Sequence, residues 1–186
     1  AMGKPFEEWY DLDCDGDGVL NGIELEDSSD ELVACDFVWQ RQENPDSSWI
    51  NGDCDGDGIL NGEEFNFLPR YDGSSFIPRD SDQDSVPNFR DLDSDGDGVL
   101  DSVEYHIDST NAYDWCDFVL YDQFNVLQSD TSGMDEASAS AAWLDTDCDL
   151  DGVSNYQEIL DDTNPLDVCS FVPMSSVDST VWLISD

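Results

Sequence analysis

Apolar residues along this chain come in short blocks that sustain neither a helical nor a strand period for long. Between them runs a twelve-residue polar pattern, first seen as Asp13-Cys14-Asp15-Gly16-Asp17-Gly18-Val19-Leu20-Asn21-Gly22-Ile23-Glu24. Behind each copy the pattern predicts at most one short helix, over 25–34 with Leu25, Leu32 and Val33 facing inward, and over Tyr156–Leu160. Phe37, Val38 and Trp39 read as a short strand, and 116–128 as a strand or hairpin. Residues 44–48 read as a turn-rich connector and 129–140 as a flexible loop. The expected fold has little regular secondary structure: tandem loops carrying short helices and short β-strands.

The polar pattern has a chemical reading. Oxygen-bearing side chains fall at loop positions 1, 3, 5, 9 and 12, with glycine at position 6 for the sharp turn. Asp13, Asp15 and Asp17 supply carboxylates, Val19 a backbone carbonyl, Asn21 a contact that is direct or through water, and Glu24 two closing oxygens. An all-oxygen set of this size suits Ca²⁺ over zinc or copper. Asp53, Asp55, Asp57, Ile59, Asn61 and Glu64 repeat it. So do Asp93, Asp95, Asp97, Val99, Asp101 and Glu104, and again Asp147, Asp149, Asp151, Val153, Asn155 and Glu158. A weaker fifth loop runs Asp80, Asp82, Asp84, Val86, Asn88 and Asp91, with Ser85 at position 6 and Pro87 at position 8. It starts 13 residues before the third, so Asp91 is placed to serve both. Four to five or more Ca²⁺ ions are expected.

A second period accompanies the loops. Four residues ahead of position 1 stands an aromatic: Trp9, Trp49, Phe76, Phe89 and Trp143. These are expected to pack on the back of their own loop and on the preceding apolar segment, not to stack on a ligand. Trp182 stands four residues ahead of Asp186, as though another loop began there. A step near 40 residues means stacked units. The modules are read as 1–8 lead-in, 9–48 first, 49–142 second with inserted loops, 143–181 third with its connector, and 182–186 the start of a truncated repeat.

Composition sharpens this. The formal charge is −41, with five Lys and Arg against 46 Asp and Glu. Leu, Ile, Val and Phe make up about 24% of the chain, just above the roughly 20% at which a highly charged chain is expected to be disordered. Two carboxylates 4 Å apart repel by about 1 kcal/mol even in water, so metal binding is expected to supply much of the folding free energy. Such a surface excludes nucleic acid as a direct partner. No apolar run approaches the roughly 20 residues of a membrane span. No signal peptide is evident, and Ala1-Met2-Gly3 reads as a cloning remnant, so the chain reads as part of a longer one. Arg70, Arg79 and Arg90 are expected to offset surplus carboxylates in the insertion.

Six cysteines include no Cys-x-x-Cys pair, which argues against zinc. Cys14, Cys54 and Cys148 hold loop position 2; Cys35, Cys116 and Cys169 open the tags Cys-Asp-Phe-Val, Cys-Asp-Phe-Val and Cys-Ser-Phe-Val. Cys14 to Cys35 and Cys148 to Cys169 are each 21 residues. The expected bridges are therefore Cys14–Cys35, Cys54–Cys116 and Cys148–Cys169, one of 15 possible sets. Disulfides imply an oxidising, extracellular setting, secreted or on a cell surface.

The tandem acidic loops, with the 13-residue step over 80–104, resemble thrombospondin type 3 repeats, and the Trp…Asp-Cys-Asp-Gly-Asp-Gly…Cys-Asp-Phe-Val modules resemble their bacterial form in large secreted or surface adhesins. The resemblance implies elongated, disulfide-pinned, calcium-dependent spacer modules whose partners are calcium and the neighbouring repeats of the same parent chain. A second reading is a calcium-dependent adhesive module for a glycan or surface protein. Dockerins use similar loops, but positions 10 and 11 here (Gly22-Ile23, Gly62-Glu63, Ser102-Val103, Tyr156-Gln157) share no recognition pair. An enzyme is the weakest reading: His106 is expected at the surface, and no nucleophile–base pair stands out.

Overall fold

The computed structural model describes residues 5–65, 78–123 and 139–173. Its helices are short: α1 (Pro5–Tyr10), α2 (Asn21–Asp27), α3 (Ser47–Ile50), α4 (Asn61–Glu64), α5 (Asp101–Val103), α6 (Ala141–Asp145) and α7 (Asn155–Asp161). Single 3-10 turns lie at Trp39–Arg41, Asn88–Arg90 and Leu120–Asp122, and a π turn at Glu104–Asp108 follows α5. Among the described residues there is no strand, and no helix is long and apolar enough to cross a membrane.

Helices α2, α4, α5 and α7 all begin at loop position 9, after an extended residue at position 8. This brings the position-12 glutamate round one turn to face back into its own loop. Left-handed residues then stop the chain at Ser28 (φ 67°), Ser109 (φ 60°) and Asp162 (φ 57°). The first helix therefore lies earlier than the expected 25–34, and Leu25, Leu32 and Val33 are exposed instead of facing inward. Metal-loop geometry, and not an apolar stripe, sets where each helix starts.

The chain forms two units, 1–80 with 85–92, and 81–84 with 93–186. The first is built on Val19, Phe37, Trp49, Phe65 and Phe89, all buried. Trp49 meets Phe37, Phe65 and Phe89 edge-on, with centroids 6.2, 5.4 and 5.2 Å away. Phe37 and Phe89 stack at 6.0 Å. The second unit has a smaller core of Val99, Phe118 and Trp143, in which Phe118 and Trp143 meet edge-on at 5.7 Å. Trp143 Nε1 donates to the Trp115 carbonyl at 2.7 Å. The aromatics ahead of the second, third and fourth loops thus serve as core residues, each tied to a preceding tag.

Two corrections to the sequence reading concern the tags. Phe37–Trp39 and the described part of 116–128 make no strand; residues 124–128 lie outside the described set. A strand needs a ladder partner, and the first tag gets its backbone bonds from a side chain instead. Arg90 donates from Nη1 to the Phe37 carbonyl (3.0 Å) and from Nη2 to that of Cys35 (2.6 Å). Its guanidinium lies 4.4 Å from the Phe37 ring centroid. Arg90 is therefore a tag clamp before it is a counter-charge, the planar fork being suited to both contacts.

The disulfide pairing also differs. The bridges are Cys35–Cys54 and Cys116–Cys148, with Cα–Cα distances of 5.5 and 5.4 Å, while Cys14 and Cys169 are free and exposed. Each bonded tag cysteine, Cys35 and Cys116, pairs with position 2 of the following loop, so Cys14–Cys35, Cys54–Cys116 and Cys148–Cys169 do not form. The reason is packing: Phe37 lies on Trp49 and Phe118 on Trp143, which carries each tag under the next loop and brings its cysteine there.

Truncating a ring at the heart of either unit should be costly. Phe89→Ala and Trp143→Ala are each expected to destabilise the calcium-loaded protein by about 3–5 kcal/mol. Leu32→Ala, at an exposed site, should stay within about 0.5 kcal/mol. Denaturant unfolding of the three variants checks this.

Candidate metal centres

Each loop is shaped by its own carboxylates. One Asp13 oxygen accepts from Gly16 N–H (2.7 Å) and the other from Gly18 N–H (3.0 Å). Asp15 accepts from Asp17 N–H (3.3 Å), and Asp17 from Val19 N–H (2.7 Å). The second loop repeats these bonds in order through Asp53, Asp55 and Asp57. In the third, Gly98 N–H meets Asp93 at 3.1 Å and Val99 N–H meets Asp97 at 2.8 Å. In the fourth, Gly152 N–H meets Asp147 at 2.9 Å and Val153 N–H meets Asp151 at 2.9 Å. Position 6 has φ of 91°, 94°, 92° and 92° at Gly18, Gly58, Gly98 and Gly152, where only glycine is at ease. A side chain at Gly18 would also strike Pro45, its Cβ lying 2.8 Å from the Pro45 nitrogen.

These bonds use one oxygen per aspartate at positions 3 and 5. The second oxygens of Asp15, Asp17, Asp55, Asp95, Asp97, Asp149 and Asp151 are buried with no donor in reach. Both Glu24 oxygens are in the same condition, as is one oxygen each of Glu104 and Glu158. In the first, second and third loops the carboxylates at positions 1, 3 and 5 converge to within 4.8 Å of one another. Buried acceptors without donors are costly, and a cluster of them all of one sign calls for a cation. Hard oxygen donors around a small concavity fit Ca²⁺, which when bound supplies the missing positive charge to the loop.

Acidities register the same cost. Burial pushes Asp17 up to about 8, only partly offset by the Val19 N–H. Burial followed by neighbouring carboxylates takes Glu24, Asp55 and Glu158 to about 7 and Glu104 to about 9. Asp95 and Asp97, adjacent in the third loop, are both raised, chiefly by burial. Metal-free, these loops hold protons where free carboxyls have none.

Position 9 also has a structural task. Asn21 Oδ1 accepts from Cys14 N–H (3.1 Å), while Nδ2 donates to the Trp9 carbonyl (3.1 Å) and meets Cys14 Sγ (3.1 Å). Asn61 and Asn155 make the same three contacts with Cys54 and Trp49, and with Cys148 and Trp143. Asp101 accepts from Ser94 N–H at 2.8 Å. In the first, second and fourth loops the buried amide thus clasps the loop to the aromatic ahead of it. Val19, Ile59, Val99 and Val153 at position 7 are buried apolar side chains.

The fifth loop keeps the loop backbone without its glycine. Asn88 N–H donates to the Arg79 carbonyl (2.9 Å), as Asn21, Asn61 and Asn155 do to Leu12, Gly52 and Thr146. Ser85 takes φ 83° at position 6, and Asp84 N–H donates to Asp82 at 3.0 Å. Asp80 and Asp91 fall in the first unit and Asp82 and Asp84 in the second.

Two glutamines escaped the sequence reading. Gln42, buried, donates from Nε2 to the Asp17 carbonyl at 2.6 Å, and Gln123 donates to the Asp97 carbonyl. Each stands seven residues after a tag cysteine, a recurrence visible in the sequence. The chain beyond them stays on the loop: Glu43 N–H reaches Gly18 and Asp46 N–H reaches Gly16, as Ser140 N–H reaches Gly96. Asp46 and Ser140 then cap α3 and α6, which carry Trp49 and Trp143. The back of one loop is therefore wired to the aromatic of the next.

Two segments, residues 53–66 and 147–168, match the family described as the bacterial TSP3 repeat. These segments contain the second and fourth acidic loops. No curated protein and no solved structure matches it.

The raised carboxyls fix the sign of a pH effect. In chelator the folded chain binds more protons than the unfolded one from about pH 4 to about 9, so Tm is expected to fall as pH rises through that window. With millimolar calcium the ion displaces those protons, and Tm should fall as pH is lowered instead. Opposite slopes in paired melting series would bear this out. Two series of the same slope would not.

Proposed function

We propose that this chain is a calcium-rigidified extracellular spacer, part of the stalk of a large secreted or surface-anchored adhesin-type protein. What supports the reading is that four loops bury carboxylate oxygens with no donor, and that the first and third are tied by their backs to the next aromatic. Such a device is suited to holding segments in fixed sequence, and the contacts that stiffen one loop also carry its neighbour.

In this reading the ions are held by Asp13, Asp15, Asp17 and Glu24, by Asp53, Asp55, Asp57 and Glu64, by Asp93, Asp95, Asp97 and Glu104, and by Asp147, Asp149, Asp151 and Glu158. The carbonyls of Val19, Ile59, Val99 and Val153, with Asn21, Asn61, Asp101 and Asn155 directly or through water, complete each shell. The module boundaries follow the aromatics at 9, 49 and 143, and the partners are calcium and adjoining repeats of the same parent.

Small-angle scattering tests the spacer role. Chelation is expected to raise the radius of gyration and lower Tm by tens of degrees, because each site held at 100 times its dissociation constant contributes about 2.7 kcal/mol. Unchanged scattering in EDTA would remove the role. Glu24→Gln should lower the calcium count in native mass spectrometry by one and leave the other sites filled.

A further inference from the structure

Two of the buried asparagines are followed by glycine. Gly22 comes after Asn21 and Gly62 after Asn61, whereas Ser102 comes after Asp101 and Tyr156 after Asn155. Packing dictates these glycines. A Cβ on Gly22 would lie 2.8 Å from the Tyr10 ring, where α1 meets α2, and one on Gly62 would lie 2.5 Å from Ile50 Cγ2, where α3 meets α4. Position 9 in turn needs a side chain that accepts at one end and donates at the other, which asparagine supplies. The two requirements together place an Asn-Gly pair in the first and second loops.

An Asn-Gly pair is chemically reactive. Glycine has no Cβ to shield its nitrogen, so that nitrogen can attack the asparagine Cγ. The Cγ–Nδ2 bond breaks, ammonia leaves with the proton of the glycine N–H, and a succinimide ring remains. Water then opens one ring carbonyl or the other, giving aspartate or isoaspartate. One water is consumed and one ammonia released, with no change of oxidation state.

The folded loops block both stages. Asn21 and Asn61 are 0% exposed, out of reach of bulk water. Asn21 Oδ1 is held by Cys14 N–H and its Nδ2 by the Trp9 carbonyl, both at 3.1 Å. Asn61 is held by Cys54 N–H at 2.9 Å and the Trp49 carbonyl at 2.8 Å. Neither carboxamide can turn onto the next backbone nitrogen without giving up both bonds. Each clasp closes a loop whose buried carboxylate oxygens call for a cation, so loss of the ion frees the asparagine.

We propose that Asn21 and Asn61 are calcium-gated modification sites, shut while the loop is filled and deamidated through a succinimide once it empties. The proposal rests on the reading of these loops as calcium sites. Isoaspartate adds one carbon to the backbone between position 8 and the glutamate at position 12, so a converted loop cannot return Glu24 or Glu64 to the same place. Deamidation thus turns a reversible loss of the ion into a permanent one. Asn155 is clasped alike, at 3.1 and 2.9 Å, but tyrosine follows it and it is spared.

The test is incubation of the chain at mildly alkaline pH in calcium and in EDTA, with peptide mapping by mass spectrometry over time. Native mass spectrometry of the same samples counts bound ions. Asn51, exposed and followed by Gly52 outside the clasps, marks the time course. In EDTA, Asn21 and Asn61 are expected to convert along with Asn51 while Asn155 stays intact. With calcium at about 100 times the dissociation constant they should convert about 100-fold more slowly. Equal rates with ions bound overturn the proposal. So do Asn21 and Asn61 left intact in EDTA after Asn51 has converted, or Asn155 converting as fast as they do. A chain that binds no ions would remove the calcium reading and the gate with it.

Discussion

Burial of bare carboxylates, worsened by their mutual repulsion, is the constraint on which this structure depends. Asp17, Glu24, Asp97 and Glu104 are 0% exposed, and the first consequence is that folding by apolar burial alone is opposed at every loop. Their raised acidities measure how poorly the folded protein tolerates them as bare anions. A cation changes the sign of that balance: the oxygens that oppose folding when bare become the strongest contacts in the loop.

The apolar parts are too small to dominate. Two clusters, five residues and three, are built from the aromatics ahead of the loops, the tag phenylalanines, the position-7 aliphatics and Phe65, which directly follows the second loop. Each of these residues belongs to a loop or touches one. Val19 is the clearest instance, since its N–H is held by Asp17 while its side chain lies in the core of the first unit. Gln42 is another, fastening the connector to the Asp17 carbonyl. Core and metal centre are consequently one cooperative structure, as expected where binding free energy is also folding free energy.

Much of this was legible in the sequence because metal coordination is local. Positions 1, 3, 5, 6 and 12 are fixed by the geometry of one short loop, and the structure brings the carboxylates at positions 1, 3 and 5 together in the first, second and third loops. The aromatic four residues ahead was legible for the same reason. Pairings that depend on how one repeat packs on the next were not. Cys14 and Cys35 share the spacing of Cys148 and Cys169, yet the tag phenylalanines pack forward onto Trp49 and Trp143 and take their cysteines with them. Nor was the clasp that the Asn21 amide makes on Cys14 and Trp9. Arg90 likewise read as a counter-charge until the Cys35 and Phe37 carbonyls were seen beneath it. Leu25, Leu32 and Val33 failed as core residues because the loop, and not their spacing, phases the helix.

Amide hydrogen exchange with and without calcium tests most directly whether the ion organises loop and joint together. The N–H groups of Gly18 and Gly98 report on the loops; those of Asp46 and Ser140 report on the joints behind them. The account predicts that chelator removes protection from both sets together. Joint amides that stay as protected in chelator as in calcium would contradict it, and would assign the fold to its aromatic clusters and disulfides alone.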